Sequence, residues 1–132
     1  MSQENVERLR ASCATWDRRN RQDFSLLDAD VVFEDDFLPD HAGETYRGRE
    51  GVMRSIRTWL EPYERFTIEL EQILEFGDRL VSIHRFRYKA RYTGIEDEMR
   101  YAYVWTFREG KVIHFRTFRE PKDAVKAAGL RE

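Results

Sequence analysis

The sequence predicts an α+β fold: a curved, mostly antiparallel sheet wrapped around N-terminal helices. Three observations carry this reading. The first half of the chain shows helical spacing, interrupted by one short strand. The second half alternates with a period of two over four long runs. One face of those runs is aromatic, so the sheet must curl around the helices to bury it. The chain has 132 residues, which predicts a single domain spanning residues 1–132.

The elements follow in order. Val6, Leu9, Cys13 and Trp16 recur at spacings of three and four, which puts them on one helical face. Ser2 is the expected N-cap, Glu4 lies in the first turn, and Asn20 is a candidate terminator. A short helix is expected over Asp23 to Leu27, turning Phe24 and Leu27 inward. Val31 to Asp35 reads as a strand, with Val31, Phe33 and Asp35 on its inner face. A proline-bearing loop around Leu38–Gly48 leads to a third helix. That helix carries Val52, Ile56, Trp59, Leu60 and Tyr63 on one side, and Pro62 begins its termination.

The strands come next. Phe66, Ile68, Leu70, Gln72, Leu74 and Phe76 share a face, as do Leu80, Ser82, His84, Phe86, Tyr88, Ala90 and Tyr92. A three-residue turn, Phe76-Gly77-Asp78, would pair Glu75 with Arg79 and Glu69 with Arg85, so opposite charges meet on the outer face. Met99, Tyr101, Tyr103, Trp105 and Phe107 form the inner face of the next strand. A turn at Arg108-Glu109-Gly110 with a glycine bulge would pair Trp105 with Ile113, Tyr103 with Phe115 and Tyr101 with Thr117. A last helix is expected from about Lys122 to Ala128, after Pro121 and closed by Gly129.

Composition excludes several function classes. With 23 basic and 25 acidic residues the net charge is −2, which argues against a general nucleic-acid or anionic-membrane binder. Arg85, Arg87, Arg91, Arg100 and Arg116 form an outer stripe, but no exposed aromatics interleave with it as an RNA platform requires. A single cysteine, Cys13, excludes an intramolecular disulfide and a cysteine-based zinc site. No apolar run approaches the ~20 residues of a membrane span, and no signal-peptide hydrophobic region opens the chain, so a cytoplasmic address is the expectation. His84 falls on the inner face, His114 on the outer face and His41 in a loop, a poor geometry for a metal, and none is expected.

The run Asn20-Arg21-Gln22-Asp23-Phe24, then Asp30-Val31-Val32-Phe33-Glu34-Asp35, then Tyr46-Arg47-Gly48-Arg49-Glu50-Gly51, resembles the NTF2-like superfamily. So do Trp105-Thr106-Phe107-Arg108-Glu109-Gly110-Lys111-Val112 and the ending Ala124-Val125-Lys126-Ala127-Ala128-Gly129-Leu130. The SnoaL-like and ketosteroid-isomerase-like branches are the most similar. The resemblance implies a cone-shaped fold with one small-molecule pocket, a homodimer, and chemistry without metal or organic cofactor. It places Asp35 where ketosteroid isomerases hold a proton-shuttling carboxylate. Tyr103 falls where they hold a protonated aspartic acid in the oxyanion hole, though the tyrosines completing that hole have no counterparts. Thr117 falls where limonene epoxide hydrolases keep an aspartate. Asp35 with His84 is similar to the Asp/His pairs of scytalone dehydratase and bile-acid dehydratase.

Three residues are therefore the catalytic candidates. Asp35 ends an apolar-faced strand, and a carboxyl buried there titrates above the ~3.9 of a free aspartate, towards the range of a general base. His84 on the apolar face is its expected acid/base partner, with the carboxylate supporting the imidazolium form. Tyr103 presents a hydroxyl to a carbonyl or developing enolate. Trp16, Phe37, Trp59, Phe86, Tyr88, Tyr101, Trp105, Phe115 and Thr117 are the expected substrate wall. Two function classes follow. One is an enzyme moving protons beside a carbonyl of a hydrophobic oxygenated molecule by isomerisation, dehydration or cyclisation. The other is a non-catalytic ligand-binding or dimerisation module on the same fold.

Overall fold

The computed structural model describes residues 2–15, 25–36 and 44–129. The elements are α1 (Ser2–Cys13), β1 (Leu27–Asp35), β2 (Glu44–Arg47), α2 (Gly48–Leu60), β3 (Tyr63–Phe76), β4 (Arg79–Ala90), β5 (Glu96–Arg108), β6 (Lys111–Phe118) and α3 (Pro121–Gly129). The strands form one open sheet in the order β2-β1-β6-β5-β4-β3. Only β1 with β6 is parallel, so the sheet is mixed and mostly antiparallel, as expected of an α+β cone.

The inner face buries the main core. Leu9 and Cys13 of α1 and Val52 of α2 join Val31, Phe33, Leu80, Phe86, Tyr101, Trp105, Phe107 and Phe115. The helical spacing of Val6, Leu9 and Cys13 thus does what it predicted, but α1 ends at Cys13 and not near Asn20. Trp16 and Asn20 lie outside the described residues. The short helix expected over Asp23 to Leu27 is not seen at its described end: Ser25 and Leu26 form a turn and Leu27 already opens β1. β1 therefore runs nine residues, longer than its apolar stretch, because pairing with β6 begins at Leu27. β2, four residues long, occupies the end of the segment read as a loop, where alternation was too short to register.

Both hairpin turns are tighter than expected. Phe76 pairs directly with Arg79, leaving Gly77-Asp78 as a two-residue turn with Gly77 at φ 67°. A positive φ at the first turn position suits a strand-matching hairpin and requires glycine. A bulge between Leu70 and Gln72 then restores the expected pairing of Glu69 with Arg85. Its consequence is a change of side. Phe66, Ile68, Leu70 and Ile73 pack on the inner core, while Leu74 and Phe76 turn to the outer face. At β5–β6, Arg108 pairs with Lys111 around Glu109-Gly110, with φ 53° and 81°, and the ladder shifts register next to Phe107. Trp105 therefore pairs with Phe115 and Tyr103 with Thr117, two residues from the expected register but on the expected face.

A second, smaller core lies on the outer face. Ala124 and Ala128 of α3 pack on Val81, Ala102, Val104 and Phe118. The rest of that face carries charges. The Glu71 carboxylate accepts from Arg100 at 2.6 Å and pairs with Arg85 at 2.8 Å, and Arg87 donates to Glu98 at 3.1 Å. Within the basic stripe, Arg85 and Arg100 thus pair with Glu71, the residue at the bulge.

Candidate functional site

One row of side chains crosses the inner face. Asp35 on β1 pairs with Thr117 on β6, Thr117 with Tyr103 on β5, and Tyr103 with Ser82 on β4. Directly opposed residues in a sheet point to the same side. The row thus places four polar groups side by side in a largely apolar interior. All four are buried, Asp35 at 6% exposure and Thr117 at 3%.

Asp35, Thr117 and Tyr103 border a small cavity of about 20 Å3, lined also by Phe33 from the sheet and by Ser55, Ile56 and Trp59 from α2. The Ser55 hydroxyl donates to the Val52 carbonyl at 2.8 Å, so it can offer the cavity only an acceptor. Thr117 differs. Its Oγ1 is fully buried and has no hydrogen-bond partner among the described residues. Burial drives the Tyr103 phenol well above its ordinary range; the Tyr101 hydroxyl opposes this, and the charges of Asp35 and Cys13 add to it. Tyr103 therefore stays protonated and can donate a hydrogen bond. Cys13 itself is buried, and desolvation pushes its thiol up to about 12, against a smaller pull from Arg10.

His84 lies on the same face but in a different setting. It pairs with Tyr101 across β4–β5, stacks on that ring at 5.2 Å, and meets the edge of Tyr103 at 5.5 Å. The Trp105 indole N–H donates to Ser82 Oγ at 2.8 Å, and Ser82 Oγ lies 2.7 Å from His84 Nε2. Burial pushes the imidazole down to about 3, and the distant Glu71 carboxylate only partly offsets it. The ring is therefore neutral near pH 7, the reverse of the imidazolium expected from an adjacent carboxylate. The strand order explains this. β6 and β5 separate β1 from β4, so Asp35 and His84 stand three strand spacings apart, about 14 Å along the sheet. Tyr103 lies between them.

The remaining wall residues divide. Trp59 and Thr117 border the cavity. Phe86 stacks on Trp59 at 4.9 Å and on Tyr88 at 5.4 Å, while Trp105 and Phe115 stack at 4.7 Å. Tyr101 meets Trp59 edge-on at 5.5 Å. Trp16, Phe37 and His41 lie outside the described residues. Sequence reading missed Ser82 and the indole of Trp105 as one chain ending on His84. Its visible signal was Ser82, a lone hydroxyl two residues before His84 on an aromatic face. Tyr46 was missed too. It stacks on Phe33 at 5.9 Å, and burial, the 2.5 Å bond to Glu44 and the charge of Asp35 hold its hydroxyl at about 12. Among the described residues no three His, Cys, Asp or Glu side chains gather to hold a metal, and no helix is long and apolar enough to cross a membrane.

An open mixed sheet around helices, with a polar row inside the cone, defines an NTF2-like protein. The chain belongs to the SnoaL-like domain family, whose profile matches residues 9–115. Among solved structures it is similar to an NTF2-like protein of unknown function from Burkholderia pseudomallei, at 21% identity over 93% of this chain and 95% of that one, with a TM-score of 0.76. It is also similar to TerC co-crystallised with polyporic acid, at 19% identity over 95% and 98% with a TM-score of 0.74. A third is a candidate SnoaL-like polyketide cyclase from a Jannaschia species, at 18% identity over 98% and 94% with a TM-score of 0.72. At these identities the likeness concerns the fold. No curated protein matches the chain in sequence.

Proposed function

We infer that the protein is a small-molecule enzyme of the SnoaL and ketosteroid-isomerase type, moving a proton beside a carbonyl by isomerisation, dehydration or cyclisation. The observation that carries this reading is the buried Asp35 carboxyl sharing one cavity with a Tyr103 hydroxyl that burial keeps protonated. Asp35 takes or relays the proton, and Tyr103 donates to the oxygen on which charge develops. His84 serves as a neutral support beneath Tyr101 and Tyr103. The ligand is hydrophobic and oxygenated, matching rings such as Trp59 and Phe33.

The test uses a panel of cyclic enones in deuterium oxide. Exchange of the protons next to the carbonyl is followed by NMR. The native protein accelerates exchange for at least one member, and Asp35→Asn loses about 10²–10⁴-fold of that rate. An unchanged rate in the variant removes Asp35 from the chemistry.

A second reading, a non-catalytic binding or dimerisation module, draws on the size of the cavity. Small-molecule pockets measure about 300–1,000 Å3, far more than the 20 Å3 bordered by the described residues here. A homodimer is part of both readings, supported by the charged outer face around Glu71, Arg85 and Arg100. Light scattering that gives only the 15.9 kDa chain mass would refute the dimer.

A further inference from the structure

We propose that the floor of the cavity is a hydroxyl site, in which Thr117 and Asp35 together hold one oxygen that both donates and accepts a hydrogen bond. The occupant is a water in the free protein and an alcohol, phenol or enol O–H of the ligand in the complex. This deepens the reading of the cavity as a ligand site and names the chemistry it selects.

Three observations support the site. Thr117 Oγ1 is buried, borders the cavity, and has no hydrogen-bond partner among the described residues. A buried hydroxyl left without a partner is costly, so it is normally satisfied by protein or water. The cavity, at about 20 Å3, exceeds the roughly 10–15 Å3 that one water needs, and it offers the two to four polar partners such a water requires. Finally, Asp35 and Tyr103 flank Thr117 in register on β1 and β5.

The donor and acceptor inventory fixes the class of occupant. An ionised Asp35 accepts only, so its neighbour in the cavity must donate. The Thr117 hydroxyl has a proton to give, so the same neighbour must also accept. A ketone oxygen or an ether cannot donate to Asp35. A water or a hydroxyl does both. The cavity therefore discriminates a hydroxyl from its methyl ether, although the two differ little in apolar surface.

Two measurements test this. Water-to-protein NOE and ROE spectra of the free protein should show a long-lived water at Thr117, lost in Thr117→Val. Absence of that water in the native protein overturns the site, independently of any ligand. Chemical-shift titrations then compare 2-naphthol with 2-methoxynaphthalene in both proteins. The native protein should prefer the naphthol by about tenfold or more, and Thr117→Val should erase most of that preference. A preference that survives in Thr117→Val, or one that favours the ether, overturns the proposal. If neither compound binds, the ligand reading of the cavity fails, and the water measurement alone decides the hydroxyl site. Thr117→Val keeps the side-chain shape, and a native-like spectrum confirms that the fold is intact.

Discussion

His84 should make this protein acid-sensitive, and its contribution can be worked out. Burial lowers its pKa from 6.5 to about 3 in the folded state. The unfolded chain therefore binds a proton that the folded chain refuses, and stability rises with pH across that window. The contribution is fully present above pH about 6.5 and is lost as pH falls towards 3. Its slope reaches about 1.4 kcal/mol per pH unit, with a ceiling on the order of 5 kcal/mol over the window. That is comparable with the whole stability of a small domain, about 5–15 kcal/mol. His84→Gln removes the titration while keeping an acceptor for Ser82. It should be less stable at neutral pH by about 1 kcal/mol for the imperfect hydrogen bond. Because only the native protein loses the His84 contribution on acidification, the two curves should cross at about pH 5.5. Urea unfolding followed by tryptophan fluorescence, at several pH values from neutral to about 4.5, measures the difference. Other acidic groups act equally on both proteins and cancel. A difference that does not change with pH would mean a solvated His84 that titrates normally, and the buried-imidazole argument would fail.

Further outcomes follow from the same geometry. Tyr103→Phe should fold normally yet lose about 10²–10³-fold in the enone exchange assay, the usual effect of removing one oxyanion donor; equal rates would remove Tyr103 from the chemistry. Ser82→Ala takes the partner from both the Trp105 indole and His84 Nε2. It should cost about 1–3 kcal/mol in urea unfolding with an unchanged m-value, and a neutral result contradicts the bonded chain. In the native protein Ser82 accepts from Trp105 and directs its own proton to Nε2, so nitrogen-15 NMR should find the His84 proton on Nδ1. A proton on Nε2 reverses that assignment. Gly77→Ala places a side chain at φ 67° and should lower stability by about 1 kcal/mol, whereas no loss would mean the turn relaxes.

Much of the fold was written in local alternation, and the rest in pairings that alternation cannot express. Leu80, Ser82, His84, Phe86 and Tyr88 read as one face and are one face. The bulge near Glu71 left a trace: Gln72 is polar where the pattern called for an apolar residue, and Ile73 is apolar where it called for a polar one. Val81 and Ile83 likewise marked an outer apolar patch for α3. The β5–β6 turn was legible from Gly110, but its two-residue form was not, because Glu109 is not a residue type that announces a left-handed conformation. At the site, the inward aim of Asp35, Tyr103 and Thr117 was legible. The expected coupling of Asp35 to His84 assumed neighbouring strands, and strand order depends on the parallel pairing of β1 with β6, which no local pattern encodes.

That parallel pairing also sets the order in which the molecule can be built. It ties the first strand to the last: the Glu34 carboxylate binds His114, 80 residues later, at 2.8 Å. A chain emerging from the ribosome can form α2 and the β3–β4 and β4–β5 hairpins from local contacts, but Asp35 has no β6 to lie against until nearly all of the chain has emerged. Non-local closure of this kind is slow compared with hairpin formation. The polar row is thus incomplete until β6 has joined the sheet. Until then β1 presents an unpaired edge, and nascent or shortened chains that end before Lys111 keep it exposed to aggregation.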